Sequence, residues 1–201
     1  MMRKFPFFIL LICSFSFSIK KLEGQIPSNV PKSGLVAWYP FNGNANDESG
    51  NGLNGKVDKA ILTKDRFGIF NKAYYFDSSR VITIPETVNK NLFPLSVSLW
   101  VQIDTSKVSG IGNLFGKYIA ASWNGFLIHS TRRVDSVGNV TFKIVPWYIR
   151  GANNRLLGLY GEEDFAADLI PGKWHHFVFT VGKDKGNAYL DGKLFDTHLW
   201  T

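Results

Sequence analysis

An all-β sandwich is the fold class this sequence predicts, and three observations predict it. Short runs rich in Val, Ile, Phe, Tyr and Trp recur along the chain, separated by Gly, Asn, Asp and Pro. No segment keeps a helical period over more than a few residues. Two segments carry clean strand and hairpin patterns, an alternating stretch at Leu95 to Ile103 and a turn at Asp191-Gly192.

The candidate strands follow in order. The first is Leu35 to Phe41, which runs into a loop, Asn42 to Gly55, built almost wholly from Asn, Asp, Ser and Gly. Ala73 to Phe76 and Val81 to Ile84 come next. In Leu95 to Ile103 the odd positions Leu95, Val97, Leu99, Val101 and Ile103 share one face, while Ser96, Ser98, Trp100 and Gln102 share the other. One face is core, and the other carries a tryptophan that is either covered or meets ligand. Asn113 to Tyr118, Gly125 to His129, Val140 to Val145, Tyr148 to Gly151 and Arg155 to Leu159 continue the series. Trp174 to Val181 has large groups on both faces, as a central strand between layers would. Asp191-Gly192 joins Ala188 to Leu190 with Lys193 to Thr197 through the turn chemistry of a type I′ hairpin. Only Glu162 to Asp168 offers a turn of helix, and Pro171-Gly172 stops it.

The N-terminus reads as a secretory signal peptide. Arg3 and Lys4 precede an apolar run, Phe5 to Ile19, broken by Pro6 and serines. That run falls short of the roughly 20 apolar residues of a membrane span. Cleavage is expected near Gly24, although Lys20, Lys21 and Leu22 keep a retained anchor open. A lipid anchor at Cys13 is disfavoured, because Leu11-Ile12 lack the small residues such a signal needs. The expected organisation is a signal peptide over 1–24, a linker over 25–33 and one domain over 34–201.

Cleavage removes four cations and Glu23, so the formal charge falls from +7 to +4. The remaining Lys and Arg are scattered, which gives no case for a nucleic-acid partner. The mature domain has no cysteine and relies on its core, with a metal as the available helper. About 177 residues suffice for one core burying close to 70% of the unfolded surface. A secreted or cell-surface location follows from the leader, with no stable membrane insertion once it is removed.

Several segments, taken in order, resemble the laminin-G-like domains of the concanavalin A-like lectin and glucanase superfamily. They are Gly34 to Gly52, Asn71 to Asp77, Arg80 to Pro85, Leu95 to Val101, Gly172 to Thr180 and Tyr189 to Lys193. The resemblance covers essentially the whole expected domain. It implies a two-sheet antiparallel jelly roll that serves as a non-catalytic recognition module. It also implies closing strands with a paired-aspartate motif, and the sequence reaches Trp200-Thr201 without them. A sheet lacking them would expose an unpaired edge.

The resemblance further points to Asp47 as a calcium ligand, with Asn51 and backbone carbonyls as helpers, since Ca²⁺ takes six to eight oxygen ligands. The alternative reading is that Asn and Gly provide positive-φ turns and Asp47 bonds the backbone. Aromatic residues in or beside loops offer flat faces for sugars: Trp123, Trp147 and Tyr148 first, then Tyr160 and Trp200, with core packing as the alternative. His175 and His176 are adjacent and point to opposite faces of a strand, so they cannot chelate one metal; no zinc site is expected. Glu162-Glu163-Asp164 reads as a solvated acidic turn, and the Glu-x-Asp-x-x-Glu strand of jelly-roll glucanases is absent. The expected function is therefore a secreted, non-enzymatic module that binds a glycan or polysaccharide, with structural calcium. A protein-binding adhesion module is the alternative, and a glycoside hydrolase is third.

Overall fold

The computed structural model of the chain describes residues 26–28, 30–85, 94–104, 111–119, 124–150, 155–156 and 166–199. Its strands are β1 (Lys56–Asp58), β2 (Ile61–Thr63), β3 (Ala73–Tyr75), β4 (Val81–Thr83), β5 (Leu95–Gln102), β6 (Ile111–Ile119) and β7 (Asn124–Val134). They continue with β8 (Val140–Arg150), β9 (Arg155–Leu156), β10 (Ala167–Leu169), β11 (Trp174–Val181), β12 (Lys185–Leu190) and β13 (Lys193–Leu199). No helix occurs among the described residues.

Two sheets carry the architecture. One orders its strands β10-β8-β7-β6, with β9 also paired to β8, and the other orders them β13-β12-β11-β5. Every ladder in them is antiparallel. Two short pairs, β1-β4 and β2-β3, complete the described strands. The core lies between the large sheets: Val101, Phe177, Phe179, Val181 and Ala188 from one face pack with Ile128, Phe142, Ile144 and Leu169 from the other. This is an all-β sandwich, as the patterning predicts.

The alternation in β5 maps directly onto the layers. Leu99 pairs with Phe177, Val97 with Phe179 and Leu95 with Val181 on the core side, while Trp100 pairs with His176 and Ser98 with Val178 outside. Along β11 every second residue is buried, Phe177 completely. The predicted hairpin forms as well: Asp191 and Gly192 have φ of 50° and 78°, the positive pair that a type I′ turn requires.

Three expectations need correction, and two short strands add to them. Leu35 to Phe41 forms no ladder, because its backbone groups are engaged by side chains of the following loop. Val140 to Val145 and Tyr148 to Gly151 are a single strand to Arg150 that runs through Pro146. β10 pairs with β8 up to Ile144 and β9 pairs with it from Ile149, so Pro146 lies where that side of β8 asks for no ladder N–H. Ala167–Leu169 is a strand rather than the end of a helical turn, because pairing with Phe142, Lys143 and Ile144 outweighs a weak local preference. β1 and β2 were not expected; three residues each give too little pattern to read.

The two faces of the β5-β11 pair should respond differently to truncation. Phe177→Ala should cost about 3–5 kcal/mol, since it opens a cavity in a closed core. Trp100→Ala should cost about 1 kcal/mol or less, since it removes surface contacts only. Urea unfolding of both variants checks the contrast, and comparable losses would place Trp100 in the core.

Candidate functional site

On its outer face the four-stranded sheet presents Trp100 beside His176. Their rings stack with centroids 4.9 Å apart and planes 22° from parallel. His176 Nε2 lies 2.8 Å from the Ser98 hydroxyl, one position along the same face. Trp100 is 45% exposed although it belongs to an eight-residue strand, which leaves a large indole in contact with water.

A loop from another pair of strands reaches this platform. Between β2 and β3 the chain makes a tight tip: Gly68 N donates to Asp65 O, and Asp65 N donates to Ile69 O. Asp65 Oδ1 accepts from both Phe67 N and Ile69 N at 2.9 Å, so the carboxylate fixes its own loop. The tip sets Arg66 Cζ 4.4 Å from the centre of the Trp100 ring and 4.3 Å from that of Phe67. Phe67 is itself 70% exposed, and Lys64 Nζ lies 4.5 Å over Phe70. The result is a stack of Phe67, Arg66, Trp100 and His176 along the surface.

Burial lowers the His176 pKa below its ordinary value; Asp191 opposes this and Arg66 reinforces it. At neutral pH His176 is therefore an uncharged ring. His175, on the opposite face and buried, accepts from Ile170 N at Nε2 and lies 2.8 Å from Asp191 Oδ2 through Nδ1. An Nε2 that accepts a hydrogen bond carries no proton, so the proton is on Nδ1 and His175 donates to Asp191 as a neutral imidazole. Asp191 also accepts from His176 N, which ties the hairpin turn to the strand bearing the platform.

The loop Asn42 to Gly55 is a clasp built around Asp47. Asp47 Oδ1 accepts from Trp38 N and Ser49 N, and Oδ2 accepts from Ser49 Oγ and Leu53 N, all between 2.9 and 3.0 Å. Burial acts to raise the Asp47 pKa, but these bonds outweigh it and hold the carboxyl below its ordinary value. Tyr39, which donates to Leu53 O, is pushed up to about 12 by burial and by the Asp47 charge. Asn51 spends its amide donors on Leu35 O and Val36 O. A carboxylate ringed by N–H and O–H donors suits a hydrogen-bonded anchor and does not fit a calcium ligand set, in which oxygen lone pairs must face the ion. No group of three His, Cys, Asp or Glu side chains suited to a metal occurs among the described residues.

The other sequence-chosen residues fare differently. Trp123, Tyr160 and Trp200 lie outside the described residues. Trp147 and Tyr148 are successive residues of β8, in register with Leu127 and Phe126, and their side chains are outside the described set. Sequence reasoning noted the outer-face position of Trp100 but missed Arg66 and His176 as its partners. The Arg66-Phe67-Gly68 tip was a weak signal for them, and the contact itself is long-range. His129 is buried on the five-stranded sheet with Nδ1 lacking a hydrogen-bond partner among the described residues, and burial lowers its pKa.

No family model matches the chain, and no curated protein matches it. A solved structure does match: domain 4 of AbnA, a GH43 extracellular arabinanase from Geobacillus stearothermophilus, in complex with arabinotriose. The TM-score is 0.53 over 81% of this chain and 74% of that one, at 20% identity. This likeness shows a shared β-sandwich fold.

Asp47→Asn should destabilise the protein by about 2–4 kcal/mol at pH 7, because it leaves buried donors unmatched. The Asp47 pKa is depressed in the folded state, so its stabilisation is complete above the unfolded value of about 3.9 and is lost as pH falls through the folded value. The gap between wild type and variant should therefore shrink below about pH 4, as followed by urea unfolding across pH. Calcium and EDTA should leave the melting temperature unchanged; a calcium-dependent rise reversed by EDTA would restore Asp47 as a ligand.

Proposed function

We propose that this protein is a non-catalytic carbohydrate-binding module that uses the outer face of the four-stranded sheet. The observation that carries the reading is the exposed stack of Trp100 and His176, bordered by the Ser98 hydroxyl and by Arg66. A sugar ring offers apolar C–H faces and a rim of hydroxyls. An indole beside neutral and charged hydrogen-bonding groups complements both parts. The arabinotriose complex of the structurally similar arabinanase domain supports the same class of ligand. Four groups held on two paired strands and a braced loop are positioned before binding, which lowers the ordering cost of capturing a flexible chain.

Affinity electrophoresis of the purified protein through arabinan, other neutral plant polysaccharides and acidic polysaccharides tests the proposal. At least one polysaccharide should retard the protein. Trp100→Ala should weaken that binding at least about tenfold, equivalent to ~1.4 kcal/mol, while cooperative unfolding is retained. Absence of retardation by any polysaccharide for a folded protein would refute the reading and favour a protein partner. Alanine at Trp123, Trp147 and Tyr148 belongs in the same scan. Loss there, with binding intact in Trp100→Ala, would move the site to the five-stranded sheet and its loops.

A further inference from the structure

Resting on that reading, we propose that the module selects anionic saccharides, with Arg66 receiving a carboxylate or sulfate group of the chain. Arg66 is exposed and has no hydrogen bond or ion pair among the described residues; its described contacts are the faces of Phe67 and Trp100 and the nearby His176. Stacking occupies the flat faces of a guanidinium. The five N–H donors lie in its plane and remain directed outward, in a fork that matches a carboxylate or sulfate.

The carboxylate nearest in sequence is engaged elsewhere. Asp65 holds the tip through Phe67 N and Ile69 N. Among the described residues, the charged groups that act on His176 are Arg66 and Asp191, and Lys173 acts on Asp191 in turn. Of these, Asp191 is committed to His175 Nδ1 and His176 N. A neutral His176 adds no second cation that would compete for the anion.

The tip itself is braced, so the fork is held in place. Lys72 N donates to Thr63 O at the base of the hairpin, and Lys72 Nζ donates to Asn42 Oδ1 at 2.7 Å. Gly43 N donates to Asn71 O, which fastens the tip to the Asp47 clasp. An arginine preordered beside an indole places one anionic group next to a sugar seated on the aromatic surface that Trp100 and Phe67 leave exposed, a contact that neutral arabinans cannot use.

The test compares polygalacturonate with its carboxyl-reduced, neutral counterpart and includes a sulfated galactan, by isothermal titration with the purified protein. Polygalacturonate or the sulfated galactan should bind at least about tenfold tighter than the neutral polymer, and raising NaCl should erode that preference. The stronger of the two identifies carboxylate or sulfate as the group received. In Arg66→Gln the acidic-to-neutral affinity ratio should fall toward one. Arg66→Lys should restore only part of it, since a point charge lacks the fork. Equal affinity for acidic and neutral polymers would overturn the inference while leaving the carbohydrate reading intact. So would a preference that survives Arg66→Gln, or an equal loss of both affinities in that variant. Failure to bind any polysaccharide would overturn both.

Discussion

The pairing register of β5 with β11 is the constraint on which the molecule depends. Leu95, Val97, Leu99 and Val101 must oppose Val181, Phe179, Phe177 and His175 for the core to close. Strand side chains alternate with a period of two, so the same register necessarily sends Trp100 and His176 outward as a directly opposed pair. A slip of β5 by one residue would bury Trp100 and Ser98 while exposing Leu99 and Val97. Core and platform are thus two consequences of one set of backbone hydrogen bonds. Apolar burial on the inner face enforces the geometry of the outer one.

A second device recurs in the loops, where aspartates substitute for a strand neighbour. Asp47, Asp65 and Asp135 each accept two or more bonds from backbone N–H groups of their own loops. Asp77 accepts one such bond, from Ser79 N, and Asp191 accepts one from His176 N in the neighbouring strand. Side chains and main chain of the Asp47 loop also bind the backbone of Leu35, Val36 and Trp38, which explains why that aromatic run is held in place without becoming a strand. Asp77 still pairs its second oxygen with Arg80 at 2.8 Å, whereas Asp47, Asp65 and Asp135 have no ion pair among the described residues. Among the described residues, Lys64 and Arg66 accordingly rest on aromatic rings. The positive balance of the chain is distributed by this commitment of the acids as much as by the count of bases.

Much of the sandwich was legible in the sequence because its strongest elements obey local rules. Leu95 to Gln102 alternates, Trp174 to Val181 is dense in β-formers, and Asp191-Gly192 has the residues that positive φ demands. The elements that escaped depend on distant partners. Pro146 reads as a break until the gap between β9 and β10 is known, and Ala167–Leu169 acquires its state only from β8. The site divides in the same way. An outward Trp100 follows from alternation, but Arg66 reaches it across the fold from a loop whose local sequence shows only a turn. The role of Asp47 could not be decided from composition either, because an Asn/Gly/Asp loop supplies equally good materials for holding an ion or for holding a backbone. The direction of the donors around the carboxylate separates those cases.

The surface stack contributes little to the fold that carries it. A cation over an exposed ring gives about 0.5–1 kcal/mol, small beside the 5–15 kcal/mol of a typical domain and beside the loss from one core phenylalanine. Fixing Arg66 costs side-chain entropy of comparable size, up to about 2 kcal/mol before any bond to its N–H groups is made. Stability alone therefore gives weak reason for a braced loop to hold a guanidinium against an indole at the edge strand of a sheet. The arrangement has its energetic return when an anionic ligand fills the N–H fork and a sugar covers exposed aromatic surface. The ordering of Arg66 has then already been met by the folded state, and the charge-assisted bonds add their full difference to binding.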